Sequence, residues 1–149
     1  MNDANDLNAA VSTERVLSAS PRTVFAAFEQ AGQLAQWWGP KDFTNTFEQF
    51  EFKPGGRWVF VMHGPNGVSY PNESVFREIR PDTKIVIEHV VEPRFTLTVT
   101  LTARGDQTHL AWLQEFESLD VAAKVRQVCE TANEEVLDRL QALLVRENS

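Results

Sequence analysis

The chain has 149 residues, 42% of them hydrophobic, with ten Phe and four Trp, enough for one substantial core in a single domain. A net charge of −7 and the lack of any Lys/Arg cluster exclude a phosphate-binding surface, so no nucleic acid partner is expected. One cysteine cannot form an internal disulfide, no run approaches a membrane span, and the start MNDANDLNAAV has no basic or apolar targeting region, so a soluble, cytoplasmic protein is expected.

Residues 1–10 are polar and lack any helix or strand period, which predicts a disordered tail ahead of a domain spanning 11–149. A short strand is expected around Glu14-Arg15-Val16-Leu17. Ser20-Pro21 then starts a helix, with a hydroxyl at the N-cap and proline at the first helical position. Val24, Phe25 and Phe28 form its buried face, and Gly32 is expected to end it. Gln33 to Trp37 predicts a second short helix that breaks at Trp38-Gly39-Pro40.

From Phe43 to Phe116 the period becomes that of strands. Phe47 to Phe52 is the second strand, and its slipping apolar parity between Phe47 and Phe50 predicts a bulge. Lys53-Pro54-Gly55-Gly56 turns into the third, Arg57 to His63, with Trp58, Phe60 and Met62 on one face. Gly64-Pro65-Asn66-Gly67 leads to the fourth, Ser69 to Ile79, where Asn72 shares the parity of Phe76. In the fifth, Ile85, Ile87, His89 and Val91 share a face. The sixth alternates Phe95, Leu97, Val99 and Leu101 with threonines, one face to the core and one to water. Gly105-Asp106 makes a hairpin into the seventh, whose inner face carries Leu110, Trp112, Gln114 and Phe116. Short turns make sequence neighbours antiparallel.

Ser118 to Glu147 predicts one long amphipathic helix. Val121, Val125, Val128, Ala132, Val136, Leu140 and Leu143 recur at steps of three and four, widened by Cys129, Leu137 and Leu144. Asp120–Lys124 and Glu135–Arg139 lie on the opposite face, expected to be solvated. So long an apolar stripe requires a wide cover, which the strands supply. The order predicts an α+β fold: a bent seven-stranded antiparallel sheet around the C-terminal helix, with two short helices between strands 1 and 2.

This order resembles the helix-grip fold of the START and birch-pollen-allergen (SRPBCC) superfamily. The motifs that carry the likeness are Ser20-Pro21-Arg22-Thr23-Val24-Phe25 with Trp37-Trp38-Gly39-Pro40, then Pro54-Gly55-Gly56-Arg57-Trp58 and Met62-His63-Gly64-Pro65-Asn66-Gly67. Tyr70-Pro71-Asn72-Glu73, Glu78-Ile79-Arg80-Pro81, Glu88-His89-Val90 and the run from Asn133 to Leu140 follow in order. They resemble the branch related to the activator of the heat-shock-protein-90 ATPase. Many members of that branch have Gly-Trp in the last helix where this chain has Asn133-Glu134, which implies a different ligand environment there.

No phosphate loop, Gly-x-Ser-x-Gly or metal-ligand spacing is present in the sequence, so no catalytic set, metal or cofactor is expected. Cys129, on the apolar stripe, reads as a small buried hydrophobe. Inward-facing aromatic residues point instead to a cavity, which the resemblance also implies. Its wall is expected from Trp58, Phe60, Met62, Phe76, Trp112 and Phe116, and Val125, Cys129, Ala132 and Val136 leave room for a guest along the helix. His89, Asn72 and Gln114 share core-facing parity and either bond neighbouring groups or orient a ligand. Trp38 is expected at the cavity mouth.

The leading expectation is a protein that binds a hydrophobic small molecule. The resemblance also implies two alternatives. One is a cyclase, dehydratase or hydrolase using His89 as base and Asn72 as oxyanion partner. The other is a co-chaperone-like module, although the surface sequence marks no chaperone site. An exposed sheet edge or the aromatic rim is compatible with a homodimer.

Overall fold

The computed structural model describes residues 9–147; the predicted tail therefore lies, through residue 8, outside the described residues. The elements are β1 (Ala10–Leu17), α1 (Pro21–Glu29), α2 (Ala31–Trp37), β2 (Thr44–Phe50), β3 (Arg57–His63), β4 (Ser69–Arg80), β5 (Lys84–His89), β6 (Phe95–Arg104), β7 (Gln107–Phe116) and α3 (Leu119–Glu147). They form a seven-stranded sheet in the order β1-β7-β6-β5-β4-β3-β2, with antiparallel neighbours throughout. The first two strands in sequence thus lie at opposite edges, and α1 and α2 carry the chain from one to the other. This is the helix-grip α+β architecture.

Local chemistry fixes the element ends. The Ser20 hydroxyl accepts from Thr23 N at 3.3 Å, with Pro21 at the start of α1. Gly32 does not end this helix as expected; it lies inside α2. The break falls at Gln30, whose extended backbone (φ −88°, ψ 112°) caps the end of α1 and the start of α2 together. The reversal needs no positive φ, so it needs no glycine. The bulge predicted in β2 appears as a register shift between Phe47 and Gln49 against β3, and a second shift lies between Phe76 and Glu78. Both sharpen the bend of the sheet.

The sheet's edges are not left bare. On β1, Arg15 pairs with Asp138 at 2.7 Å and Glu134 at 2.9 Å on α3, and Thr13 donates to Glu134. On β2, the Asn45 amide donates to the carbonyls of Ala35 at 3.1 Å and Trp38 at 2.9 Å. A strand edge held against a helix offers little template for another chain.

The helix α3 is about 43 Å long at 1.5 Å per residue, and its two halves bury differently. Val136, Leu137, Leu140, Leu143 and Leu144 join the main core with Phe28, Trp37, Trp58 and Phe76. Near its start, Ala122 packs with Val11 and Phe116 in a smaller cluster. Between them the expected stripe fails at Val128, which is 71% exposed. There α3 stands off the sheet.

Candidate functional site

Where α3 stands off, the helix and sheet flank a partly open cavity of about 210 Å³. Its position follows from one inward row of the sheet. Phe60 and Met62 on β3, Asn72 and Ser74 on β4, and Ile87 and His89 on β5 line it. Phe95 and Leu97 on β6, with Trp112 and Gln114 on β7, continue the wall. The ladder registers Phe60 against Asn72, Ser74 against His89, Ile87 against Leu97, and Leu97 against Gln114. From α3 come Val128, Cys129, Ala132, Asn133 and Val136, and the loop Trp38-Gly39-Pro40 closes one side.

Of the residues expected at a ligand site, Trp38, Phe60, Met62, Asn72, His89, Trp112, Gln114, Cys129, Ala132 and Val136 line this space. Trp58, Phe76, Phe116 and Val125 do not. Trp58 and Phe76 lie at most 1% exposed, two residues along their strands from the cavity row, stacked with centroids 5.9 Å apart. Phe47, Phe50 and Phe52 fill the space around them. Phe116 lies beyond the other end of the cavity in the smaller cluster, against which Val125 packs. Parity gives a side chain's face, and its distance along the strand decides between solid core and cavity.

Asn133, the main polar residue from α3, entered the sequence reading only as the departure from Gly-Trp that implies a different ligand environment, and not as a wall residue. It is 7% exposed and its Nδ2 donates to Gln114 Oε1 at 3.1 Å. The signal was there: Asn133 is four residues after Cys129 and four before Leu137, on the stripe itself. Ser74, Ile87, Pro93, Phe95 and Leu97 were also missed as wall residues.

His89 forms the second polar group. Its Nδ1 meets the Pro93 carbonyl at 2.9 Å, and Nε2 meets the Asn72 side chain at 2.7 Å. Burial lowers its pKa, outweighing the hydrogen bonds to Pro93 and Val91 and the charge of Glu92 that oppose it. The ring is therefore neutral at pH 7. Nδ1 donates to the Pro93 carbonyl, and the Asn72 atom facing Nε2 is Oδ1, an acceptor, so a ring protonated only at Nδ1 needs the Asn72 amide turned to present its NH2 end there. That amide otherwise donates to the Tyr70 carbonyl at 2.9 Å, and the two arrangements exclude each other. Burial, then Glu130, raises the Cys129 thiol pKa, which makes it a wall atom and a poor nucleophile.

Trp37 and Trp38 have separate roles. Trp37 is fully buried and its Nε1 donates to Ala27 O at 3.0 Å, whereas half-buried Trp38 faces the cavity with its ring centroid 5.9 Å from that of Trp112. The loop carrying Trp38 is tied to α3 by Arg139. Expected on a solvated face, this guanidinium instead donates to the carbonyls of Gln36, Trp38, Gly39, Pro40 and Phe43 at 2.8–3.1 Å. Glu135 adds a contact to Lys41 N at 3.1 Å. Gly39 has φ +95°, a left-handed backbone that strains any other side chain, whereas the 2.8 Å contact a Cβ would make is with Met62 Cε, the movable end of a flexible side chain. Among the described residues, no group of three or more His, Cys, Asp or Glu could hold a metal ion, and no helix is long and apolar enough to cross a membrane.

A seven-stranded sheet gripping a long terminal helix is the arrangement of the SRPBCC superfamily, of which the family that matches this chain is a member. The model of the activator of Hsp90 ATPase homolog 1-like proteins matches residues 18–145, and the chain belongs to that family. Among solved structures, it is similar to a protein from Arthrobacter aurescens at 25% identity, covering 95% of this chain and 89% of that one (TM-score 0.88). A Nitrosomonas europaea protein is 18% identical over 95% of this chain and 97% of its own (TM-score 0.86). A Chromobacterium violaceum protein is 24% identical over 90% and 96% (TM-score 0.82). Among curated proteins, none matches the sequence significantly.

Proposed function

We propose that this protein binds a small hydrophobic or aromatic molecule in the cavity between its sheet and α3. One observation carries the reading. Apolar and aromatic side chains make most of the lining, and its polar side chains are few: the Gln114–Asn133 pair, the His89–Asn72 pair and the Ser74 hydroxyl. Such a lining suits a guest that is mostly apolar and oriented by a few polar contacts. At about 210 Å³ the space is small for a ligand pocket, which favours a compact molecule over a lipid or sterol. The catalytic alternative has weaker support, because both nitrogens of His89 are engaged within the protein and no free base faces the cavity.

Thermal-shift and native mass-spectrometry screening against compact aromatic and aliphatic molecules tests the reading. Stabilisation by several of them, with one molecule bound per chain, is expected. Failure of every apolar ligand, together with no xenon uptake in the crystal, would show that the space is packing and not a site.

A further inference from the structure

The polar groups of the cavity say what kind of small molecule fits it. Gln114 and Asn133 are each 7% exposed, and the one hydrogen bond between them uses Asn133 Nδ2 and Gln114 Oε1. This leaves Gln114 Nε2, a donor, and Asn133 Oδ1, an acceptor, without a partner among the described residues. Neither atom is among the fully enclosed, unpartnered atoms of the core, a set that does include the indole nitrogens of Trp58 and Trp112. Both therefore touch open space, and the open space beside these two buried side chains is the cavity they line. A hydrogen-bonded pair of amides with a free donor on one and a free acceptor on the other presents a two-point edge.

Charge narrows the class further. No Asp, Glu, Lys or Arg lines the cavity, and burial keeps His89 neutral. A charged guest would give up hydration for a mostly apolar lining with no counter-ion, a cost that an uncharged isostere avoids. Size and shape follow from the walls. An apolar cavity of roughly 150 Å³ holds benzene, so about 210 Å³ sets the limit near a small fused bicycle. Trp38 and Trp112, tilted 36° to one another, offer it aromatic faces.

Building on the small-molecule reading above, we propose that the ligand is an uncharged, flat molecule carrying a hydrogen-bond acceptor and donor side by side, as a lactam or cis-amide does. Its carbonyl accepts from Gln114 Nε2 and its N–H donates to Asn133 Oδ1. Either amide alone would be a weak anchor; together they read the donor–acceptor order of the guest's edge.

Four probes test this by titration calorimetry: 2-quinolone, N-methyl-2-quinolone, naphthalene and quinoline-2-carboxylate. The native protein should bind 2-quinolone about tenfold or more tighter than its N-methyl analogue, since methylation removes the donor and leaves Asn133 Oδ1 unpaired. The carboxylate should bind most weakly. In the double variant Gln114→Leu/Asn133→Leu the preference should fall to within about threefold, because removing both partners leaves no unsatisfied group. Should that variant not fold, the probe order in the native protein decides alone. Equal binding of naphthalene and both quinolones would overturn the donor–acceptor class while leaving the cavity as a binding site. Binding of none of the four would overturn both.

Discussion

Replacing Arg139 by alanine removes the side chain that ties residues 36–43 to α3. The carbonyls of Trp38, Gly39, Pro40 and Phe43, at 3.1, 2.8, 2.9 and 2.9 Å from its terminal nitrogens, are partly buried, whereas that of Gln36, at 2.8 Å, is exposed. One terminal nitrogen serves three of these carbonyls with two protons, so one bond is shared. An exposed carbonyl recovers its bond from water. The Trp38 carbonyl keeps the Asn45 amide and the Pro40 carbonyl keeps the Phe43 N–H, so two buried carbonyls, those of Gly39 and Phe43, are left unmet, at about 1 kcal/mol each at the low end and about 2 kcal/mol together. Lysine should restore less than half of this, because its donors sit on a single nitrogen and cannot span carbonyls spread across the loop. Burial lowers the arginine pKa against the opposing charge of Asp42, but a guanidinium stays charged at any working pH. Urea unfolding followed by tryptophan fluorescence measures the loss directly, with an unchanged slope if the loop alone is affected. A loss under about 1 kcal/mol, the range of an ordinary surface contact, would refute the claim that Arg139 holds the rim.

Three further outcomes follow from the cavity wall. His89 has a folded pKa below the ordinary 6.5, so the folded protein binds fewer protons there than the unfolded chain; its contribution is complete above pH 6.5 and is lost as pH falls through the lowered value. Urea midpoints between pH 7.5 and 5 should therefore fall more steeply for the native protein than for His89→Gln, and parallel curves would contradict the assignment. Cys129, with its raised thiol pKa, should react with iodoacetamide at pH 7.5 about tenfold more slowly than in urea-unfolded protein, and equal rates would place it outside the wall. Ala132→Leu should fill part of the cavity, abolishing uptake of bicyclic probes while changing stability by less than about 1.5 kcal/mol, and undiminished binding would move the site elsewhere.

Much of the fold was legible because two periods dominate the chain. The β3 span, the β2 bulge, the Ser20-Pro21 helix start and the order of strands all follow from local residue patterns. The inner faces of β6 and β7 also follow from alternation, down to Gln114 beside Trp112. What alternation cannot encode is depth along a strand. Trp58 and Phe60 share a face and stack at 4.2 Å, yet Phe60 lines the cavity and Trp58 closes the solid core. The helix stripe was misleading in its width. A 3.6-residue period marks Val128 as buried, but it is 71% exposed while its neighbour Cys129 is half-buried, so Val128 lies at the margin of the stripe. Asn133 and Arg139 were hidden by type. A polar residue on an apolar stripe and a charge on a polar face take their roles from partners far off in sequence, Gln114 and the 36–43 loop.

The location of the cavity can be argued from energetics as well as geometry. A space of about 210 Å³ between helix and sheet forfeits packing contacts that a solid core would make. The chain has the means to avoid that loss, since β3 and β4 place Trp58 and Phe76 one inward step away and pack them solid. On the cavity row the same strands carry Asn72 and Ser74, and α3 opposes them with Cys129, Ala132 and Asn133. One substitution, Ala132→Leu, would close much of the gap. A fold that packs aromatic rings densely at one end of its sheet while presenting small and amide side chains at the other has room where a guest can supply the missing contacts. That guest would recover the forfeited contacts as binding energy, and the Gln114–Asn133 edge would set its orientation.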